Sequence, residues 1–218
     1  MKPEELEAKV KTLSEIAANL ETRLKKMEDI EAVKKLQRAY GYYLEHWQKK
    51  EIVELFSHSS DVSVEINASG FFKGYEAIKR SFNFEDHYTS YGLKKAPPEF
   101  LHILMPTAGI VDLDPDGKTA KGRWYGFFLG AMHRPIETGA LIGCGIWENE
   151  YIKEDGTWKF KKLFWNDIIC SPLDEGWVKT PYLAHPRKTV ASSPDVHFQH
   201  YPSGYIFPYH YKNPVNGK

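Results

Sequence analysis

The chain has 218 residues, enough for one domain with a sizeable apolar core, and its 29 basic residues balance its 29 acidic ones. A zero net charge lacks the positive surface that nucleic-acid binding needs, so we expect no nucleic-acid partner. There is no apolar run of membrane-spanning length and no leader-like start, which predicts a cytoplasmic protein with no membrane partner. The only cysteines are Cys144 and Cys170, so we expect no disulfide framework.

The first segment, residues 1–27, predicts a helix with a heptad stripe. Its apolar residues recur at alternating steps of four and three, at Leu6, Val10, Leu13, Ala17, Leu20, Leu24 and Met27. Two interpretations stay open: a solvated helix lying along the domain, or a short coiled coil between subunits. We favour the coiled coil, because so regular a stripe gains little stability in an isolated helix. The expectation is a homo-oligomer, either a dimer or a trimer.

Residues 29–56 predict a long amphipathic helix with an unusually aromatic face. The residues on that face are Val33, Leu36, Tyr40, Tyr43 and Trp47. A face this wide needs a large concave partner, and a curved sheet is the obvious one. Near the end of the segment, Glu45 and His46 place ionisable groups beside the apolar face.

The elements that follow predict an α+β fold. Residues 62–66 alternate like a strand, and residues 74–82 predict a short helix with Tyr75, Ile78 and Phe82 inward. Residues 83–98 predict a loop or lid that carries His87. Four longer strands are predicted at residues 101–113, 119–132, 139–153 and 157–170. Because tight turns join them, we expect an antiparallel meander packed on the long helix.

Strand alternation predicts which side chains face inward. With Lys121 and Arg123 outside, the inward residues of the second long strand are Gly122, Trp124, Gly126 and Phe128. Glycines alternating with aromatics favour a bent strand facing a cavity rather than a filled core. The matching set in the next strand is Trp147, Asn149 and Tyr151. In the last strand, strict alternation puts Lys159 and Lys161 on one face with Leu163, Trp165 and Asp167. Core packing is the alternative role for each aromatic.

The last segment, residues 171–218, is rich in proline and aromatic residues. Its aromatic side chains are too apolar to leave in water, so we expect an extended arm that wraps its own domain or a neighbour. His197 and His200, with His210 nearby, have a spacing that could bind a metal, but no carboxylate or thiol set accompanies them, so we expect none. The predicted organisation is a helix at 1–27, a domain at 28–170 and an arm at 171–218.

Four segments carry a resemblance that covers about residues 28–181: EDIEAVKKLQRAYGYYLEHW, VELFSHSSDVSVEI, GKTAKGRWYG and WENEYIKEDGTWKFKKLFW. They resemble the SnoaL-like branch of the nuclear transport factor 2-like superfamily. The resemblance implies a cystatin-like, cone-shaped sheet with a deep pocket. It also implies the activities of that branch, which include dehydratases, ketosteroid isomerases, polyketide cyclases and diarylpropane lyases that use no metal or organic cofactor. Other members only bind ligands or partner proteins, so fold alone does not certify catalysis.

The resemblance also implies a catalytic pair. Dehydratase-type members carry an aspartate late in the first long helix, which orients a histidine on the strand after the lid, and the histidine takes a proton from carbon. Those positions hold Glu45 and His102 in this chain, and glutamate is one methylene longer than aspartate. A second histidine and an asparagine of scytalone dehydratases fall near Gly130 and Trp147 here, so that enzyme's specific reaction is not carried over.

These residues lead to a functional interpretation. An imidazole with a carboxylate behind it is a general base, and Tyr40, Tyr43 or Tyr125 can donate to a leaving hydroxyl or an oxyanion. The residues expected to hold a flat substrate are Trp124, Phe128, Trp147, Trp165, His87 and Asn149. We interpret the chain as a cofactor-independent lyase of a hydroxylated aromatic or polycyclic small molecule. It would act by dehydration, or by carbon–carbon cleavage after loss of a hydroxyl, as in deformylation of a lignin-derived diarylpropane.

Several alternatives stay open. An isomerase or cyclase would use the same base on a ketone of polyketide or steroid type. A non-catalytic ligand-binding protein would keep the pocket without a working pair. For the individual residues, His102 is alternatively a core histidine, and Glu45 is alternatively a surface charge beside His46.

Overall fold

The computed structural model describes residues 2–66, 70–83, 99–133, 138–181 and 199–218. The helices in these ranges are α1 (Pro3–Glu45), α2 (Lys49–Glu54), α3 (Tyr75–Ser81) and α4 (Gly176–Lys179). The strands are β1 (Ser63–Ile66), β2 (Gly70–Lys73), β3 (Leu101–Leu113), β4 (Thr119–His133), β5 (Thr138–Glu154) and β6 (Thr157–Pro172). None of the described helices has the length and apolar character needed to cross a membrane.

Helix α1 is a single helix of 43 residues, about 65 Å long at 1.5 Å per residue, so the heptad segment and the domain helix are continuous. The prediction of one helix through residue 56 is wrong at its C-terminal end. The chain turns after Glu45: Gln48 N–H donates to the Tyr43 carbonyl and Trp47 N–H to the Leu44 carbonyl. This Schellman pattern places Trp47 in the left-handed region, at φ +50°. Sequence reasoning missed the break because glycine, the usual residue at that position, is absent.

The six strands form one sheet in the order β2-β1-β6-β5-β4-β3. The predicted antiparallel meander of β3 to β6 is confirmed, and β1 extends the sheet by pairing in parallel with β6. Strand β2 was not predicted, because the four residues GFFK show no clear apolar–polar alternation. The predicted α+β fold, a curved sheet packed on a long helix, is confirmed.

Helix α1 packs on one side of the sheet, which we call the inner face. The buried residues of this part of α1 are Asp29, Val33, Leu36, Gln37, Tyr40, Gly41 and Leu44. Tyr43 and Trp47, which complete the predicted aromatic stripe, are partly buried against the same core. At Gly41 the helix backbone approaches β3 so closely that a Cβ would lie 2.8 Å from the Leu104 carbonyl oxygen. The glycine therefore sets how tightly α1 lies against the edge strand.

The predicted strand alternation holds in β4 and β5 but not throughout β6. Trp124 and Phe128 face inward while Lys121 is exposed, and Trp147, Asn149 and Tyr151 are all buried. In β6 the register shifts between the pairs Glu150–Lys162 and Tyr151–Phe160, which leaves an extra residue. A bulge of this kind reverses the alternation. Phe160 and Leu163 therefore both join the core, and the prediction that Lys159 shares a face with Leu163 and Trp165 is wrong.

Residues 199–211 of the C-terminal arm cover the opposite side of the same sheet, its outer face. Gln199 exchanges two hydrogen bonds with the side chain of Asn166 on β6, at 2.8 and 2.9 Å. Phe207 is buried against Ile146 and Phe164. His210 contacts Glu148 through Nδ1 at 2.9 Å. This part of the arm therefore wraps its own domain.

Candidate active site

Three tryptophans lie side by side across the middle of the inner face. Trp124 on β4 pairs with Trp147 on β5, which pairs with Trp165 on β6. Each is at most 6% exposed, and the rings of Trp147 and Trp165 have centroids 4.5 Å apart. Together with Phe128, four residues further along β4, they form an apolar surface of the kind that contacts planar ligands.

Glycines flank these rings, and the rings fill the space above them. A Cβ on Gly126 or Gly145 would lie 2.4–2.5 Å from atoms of the Trp165 ring, and one on Gly130 would lie 2.4 Å from the Phe128 ring. At these positions the rings, rather than the glycines themselves, therefore form the surface of the inner face. The glycines allow aromatic rings to lie flat along the strands.

His102 stands on the inner face of β3, opposite Gly130 of β4, and is half-buried. Its ring lies among aromatic rings, with centroid distances of 5.1 Å to Phe128, 6.2 Å to Phe100 and 6.4 Å to Trp47. Strand alternation positions it, because His102, Leu104 and the paired residue Phe128 share one face. The histidine thus lies at one end of the aromatic surface.

The end of α1 contributes to the surroundings of His102. Trp47 packs edge-on against Phe100, with centroids 4.2 Å apart, and its backbone is in the left-handed region. A non-glycine residue in this conformation costs about 1–2 kcal/mol, which the surrounding packing has to offset. Glu45 lies two residues earlier and is partly buried. Among the described residues, no hydrogen bond or ion pair joins Glu45 to His102, so the structure does not bring the predicted pair into contact.

The three candidate tyrosines occupy different places. Tyr40 is buried on α1, with its ring edge-on to Trp147 and Phe160. Tyr43 is partly buried one helical turn nearer Trp47. Tyr125 is 50% exposed and points to the outer face, so it does not reach the inner face. The sequence already indicated this, because consecutive strand residues face opposite ways and the neighbouring Trp124 faces inward.

A buried polar network lies next to the tryptophans on the inner face. Gln37 Oε1 accepts hydrogen bonds from Asn149 Nδ2 and Tyr151 Oη, both at 2.9 Å, and Trp124 Nε1 donates to Tyr151 Oη at 3.0 Å. Asn149 Oδ1 also accepts the Phe164 backbone N–H at 3.0 Å. Burial raises the pKa of Tyr151, so its hydroxyl stays protonated. Both polar atoms of Asn149, a predicted substrate contact, are thus hydrogen-bonded within the protein.

Sequence reasoning missed Gln37, although a signal was present. It interrupts the apolar face of α1 between Leu36 and Tyr40, and a polar residue there needs a buried partner. Two N–H donors near this network, Gln37 Nε2 and Trp147 Nε1, are buried without a hydrogen-bond partner in the described part of the chain. Unsatisfied buried donors are costly, so an acceptor on a bound molecule or a water at either group would stabilise the site.

A second polar cluster lies further from His102, near the start of the domain. Asp29 Oδ1 accepts hydrogen bonds from Lys153 Nζ at 2.5 Å and from Trp158 Nε1 at 2.9 Å. Burial by itself would raise the pKa of Asp29, but the bonds and charge of Lys153 and the bond from Trp158 outweigh it and lower that pKa. The cluster anchors α1 to the hairpin between β5 and β6.

The remaining candidates do not gather at this site. His87 and His197 lie outside the described residues. His210 is on the outer face, bound to Glu148 and 3.4 Å from Asp112. Within the described ranges, no group of three or more His, Cys, Asp or Glu side chains could hold a metal ion. Burial and the charge of Asp167 raise the pKa of Cys144, which disfavours a reactive thiolate.

The sequence pattern of the SnoaL-like domain matches residues 25–163, which is more than half of the chain. The chain belongs to the SnoaL-like domain family. The resemblance stated from the sequence is therefore confirmed, and with it the superfamily of nuclear transport factor 2-like folds. No curated protein is significantly similar in sequence to this SnoaL-like protein.

Solved structures share the fold at low sequence identity. A candidate scytalone dehydratase from Novosphingobium aromaticivorans superposes with a TM-score of 0.55 at 16% identity, covering 80% of this chain and 98% of the other. A hexachlorocyclohexane dehydrochlorinase, LinA type 2, gives 0.55 at 19%, covering 75% and 98%. The type 3 enzyme from Novosphingobium barchaimii gives 0.55 at 16%, covering 75% and 99%. At these identities the similarity shows the fold alone.

Proposed function

We propose that this SnoaL-like protein is a cofactor-independent lyase that removes water, or water and a one-carbon aldehyde, from a hydroxylated aromatic small molecule. The observation that carries the proposal is the position of His102. It is a half-buried imidazole at the end of an inner face lined by three tryptophans and a phenylalanine. An imidazole is neutral or charged near pH 7 according to small changes in its surroundings, which suits a general base.

The chemistry follows from the groups present. His102 takes a proton from the carbon next to the one bearing the hydroxyl, and the C–O electron pair leaves with that hydroxyl. A second proton is needed to release the hydroxyl as water. Tyr43 is the proposed donor, because it is the tyrosine of α1 nearest to Trp47. Deformylation follows a different order on a substrate with a para-hydroxyl on the ring and a neighbouring hydroxymethyl group. The benzylic hydroxyl leaves as water with the phenolic proton, which gives a quinone-methide-like intermediate. His102 then takes the proton of the hydroxymethyl O–H, the C–C electron pair forms the diaryl alkene as formaldehyde leaves, and the phenolate regains a proton. A base of this kind supplies about two to four orders of magnitude in rate.

The aromatic surface supports a flat, apolar substrate. Trp165 and Phe128 border the glycine positions between the tryptophan row and His102. Stacked or edge-on aromatic contacts contribute about 0.5–1.5 kcal/mol each beyond the apolar area that they bury. A planar ring next to His102 would meet Phe128, Phe100 and Trp47 on its sides. The substrate class is therefore an aromatic alcohol rather than a sugar or a phosphate.

A non-catalytic ligand-binding protein is the second candidate, and one observation favours it. Among the described residues, no hydrogen bond or ion pair joins Glu45 to His102, so the carboxylate–histidine pair implied by the dehydratase-type relatives is not formed at these positions. A protein that keeps the aromatic surface without that pair would bind its ligand without turning it over. A cytoplasmic location and a homo-oligomer remain predictions alongside either function.

The proposal is tested by assaying purified protein with a panel of hydroxylated aromatics that includes 1,2-diarylpropane-1,3-diols. Alkene formation is followed by ultraviolet absorbance, and formaldehyde is measured separately to distinguish dehydration from deformylation. We expect His102→Ala to lower kcat by at least about 100-fold while substrate affinity stays within about tenfold. His46→Ala is the matched control, because His46 is exposed near the end of α1. Turnover that survives His102→Ala, or an absence of turnover across the panel, would reject the lyase and favour the binding protein.

The pH dependence of kcat tests the role of Glu45. If Glu45 moves next to His102 when substrate binds, Glu45→Gln removes a charge that favours the imidazolium, so the acid limb of the pH–rate profile shifts to lower pH. Glu51→Gln, an acidic residue on α2, is the control for a general charge effect. A profile that does not move would assign Glu45 to the surface and leave the orientation of His102 to another group.

A further inference from the structure

The first part of α1 projects beyond the domain with an apolar stripe in solvent. Every described residue from 2 to 28 is exposed. The stripe residues Leu13, Leu24 and Met27 are 64%, 57% and 66% exposed, and Leu6, Val10 and Leu20 are at least half exposed. We call Leu6, Val10, Leu13, Ala17, Leu20, Leu24 and Met27 the N-terminal stripe. Large apolar side chains in an unbroken row of this length mark a binding surface.

The helix geometry prevents the protein's own domain from covering this stripe. Val33, which faces the sheet, follows Leu24 by nine residues, and at about 100° per residue it lies roughly 180° around the helix axis. Tyr40 follows Leu20 by twenty residues and lies about 200° away. Because α1 is continuous, the N-terminal stripe and the domain-facing stripe lie on opposite sides of one rod. Within the described part of the chain, this segment of α1 therefore does not lie along its own domain.

The charges beside the N-terminal stripe favour a parallel over an antiparallel arrangement of two such helices. In the heptad with Val10 at a and Leu13 at d, the g positions are Lys2, Lys9, Ile16 and Arg23, and the e positions are Glu7, Ser14, Glu21 and Glu28. In parallel helices g faces the e position of the next heptad of the partner, so Arg23 meets Glu28. In antiparallel helices g faces g and e faces e, which would set like charges together.

We propose that residues 3–27 bind the same residues of a second copy of this chain as a parallel, in-register coiled coil. Beyond Met27 the same side of α1 carries Glu31, Lys34 and Arg38, which pair with one another at 2.6 and 3.8 Å. These charges are solvated within one chain, so the apolar contact ends where the domain begins. The two domains then lie at the same end of the coiled coil, each on the side of α1 that faces away from the contact.

The first experiment measures the mass of the full chain by light scattering. We expect the wild type at about twice the single-chain mass of 25.2 kDa, and Leu13→Lys with Leu20→Lys at the mass of a single chain. The matched control, Thr12→Lys with Asn19→Lys, adds the same charge at two c positions off the stripe and should keep the wild-type mass. A single-chain wild type, or a stripe variant that keeps its mass, would overturn the proposal.

The second experiment tests orientation by oxidative cross-linking of the full chain. In a parallel pair, Leu6→Cys places two thiols next to each other at a d position, so a disulfide-linked dimer should form. In an antiparallel pair centred on the stripe, Leu6 lies about 30 Å from its equivalent and near Met27, 21 residues along the helix. Glu15→Cys, on the opposite side of α1, controls for random collision, and the wild type controls for Cys144 and Cys170. Linkage only when Leu6→Cys and Met27→Cys are mixed would overturn the parallel arrangement.

Discussion

The inner face of the sheet has two ends that differ in how their polar groups are satisfied. At the closed end, around Gln37, Tyr151 and Asp29, side chains bond mainly to one another and are almost fully buried. At the open end, His102 is half-buried among aromatic rings, and glycines let those rings lie flat along the strands. The tryptophan row of Trp124, Trp147 and Trp165 separates the two.

The closed end contributes mainly to stability, and the open end is the place for reactivity. A buried hydrogen-bond network is strongly destabilised when one member is lost, so it rigidifies the closed end and holds the tryptophans in place. A general base needs access to substrate and a ring that can exchange protons, which a closed network would prevent. Changes at the closed end should therefore alter the free energy of unfolding, whereas changes at the open end should alter turnover.

The largest effect on stability is expected from Gly145→Ala, between the two ends. A Cβ there would lie 2.5 Å from both the Asn166 carbonyl oxygen and the Trp165 ring, so the backbone or the indole has to move. We expect a loss of about 2–3 kcal/mol in the free energy of unfolding, measured by urea denaturation, together with reduced turnover. Gly139→Ala on the same strand is the control, since a Cβ there meets nothing within 4 Å. Equal stability of the two variants would contradict the close packing of Trp165.

Tyr151→Phe should affect stability alone, because Tyr151 belongs to the closed end. The hydroxyl joins Trp124 Nε1 to Gln37 Oε1, and its loss leaves the indole N–H buried without a partner. We expect a loss of about 1–3 kcal/mol in the free energy of unfolding with kcat nearly unchanged. Tyr125→Phe removes an exposed hydroxyl from the outer face and should change neither quantity. A large fall in kcat for Tyr151→Phe at full stability would place this tyrosine in the catalytic machinery instead.

The smallest effect is expected from Asp29→Asn, and it should depend on pH. The folded-state pKa of Asp29 lies below its ordinary value of 3.8, so the charged carboxylate stabilises the fold above that value. That contribution is lost as the pH falls through the folded-state pKa. We expect the variant to be about 1 kcal/mol less stable at pH 7, and the difference to begin narrowing below about pH 4. Denaturation curves at successive pH values from 7 downward measure it, and a difference that does not narrow at all in acid would mean that shape rather than charge matters.

Local patterns were sufficient to predict much of the site. Alternation in β4 placed Trp124 and Phe128 inward, and the same rule separates them from Tyr125. The resemblance to dehydratase-type relatives brought attention to His102, which lies on the inner face. Alternation failed in β6, because the bulge near Lys161 depends on how β5 pairs with it. The end of α1 was missed because Trp47 adopts a conformation that its own preference opposes.

By itself, the sequence determined the helical and strand periods, the antiparallel order of β3 to β6 and the heptad stripe, since these follow from side chains a few residues apart. Contacts between residues far apart in the sequence became visible in the folded chain alone. The tertiary structure joined Gln37 to Asn149 and Tyr151, laid the Trp165 ring over Gly145, and left Glu45 apart from His102. The physical reason is that such contacts depend on the distance between α1 and the sheet, which close backbone approach at Gly41 sets and no local pattern records.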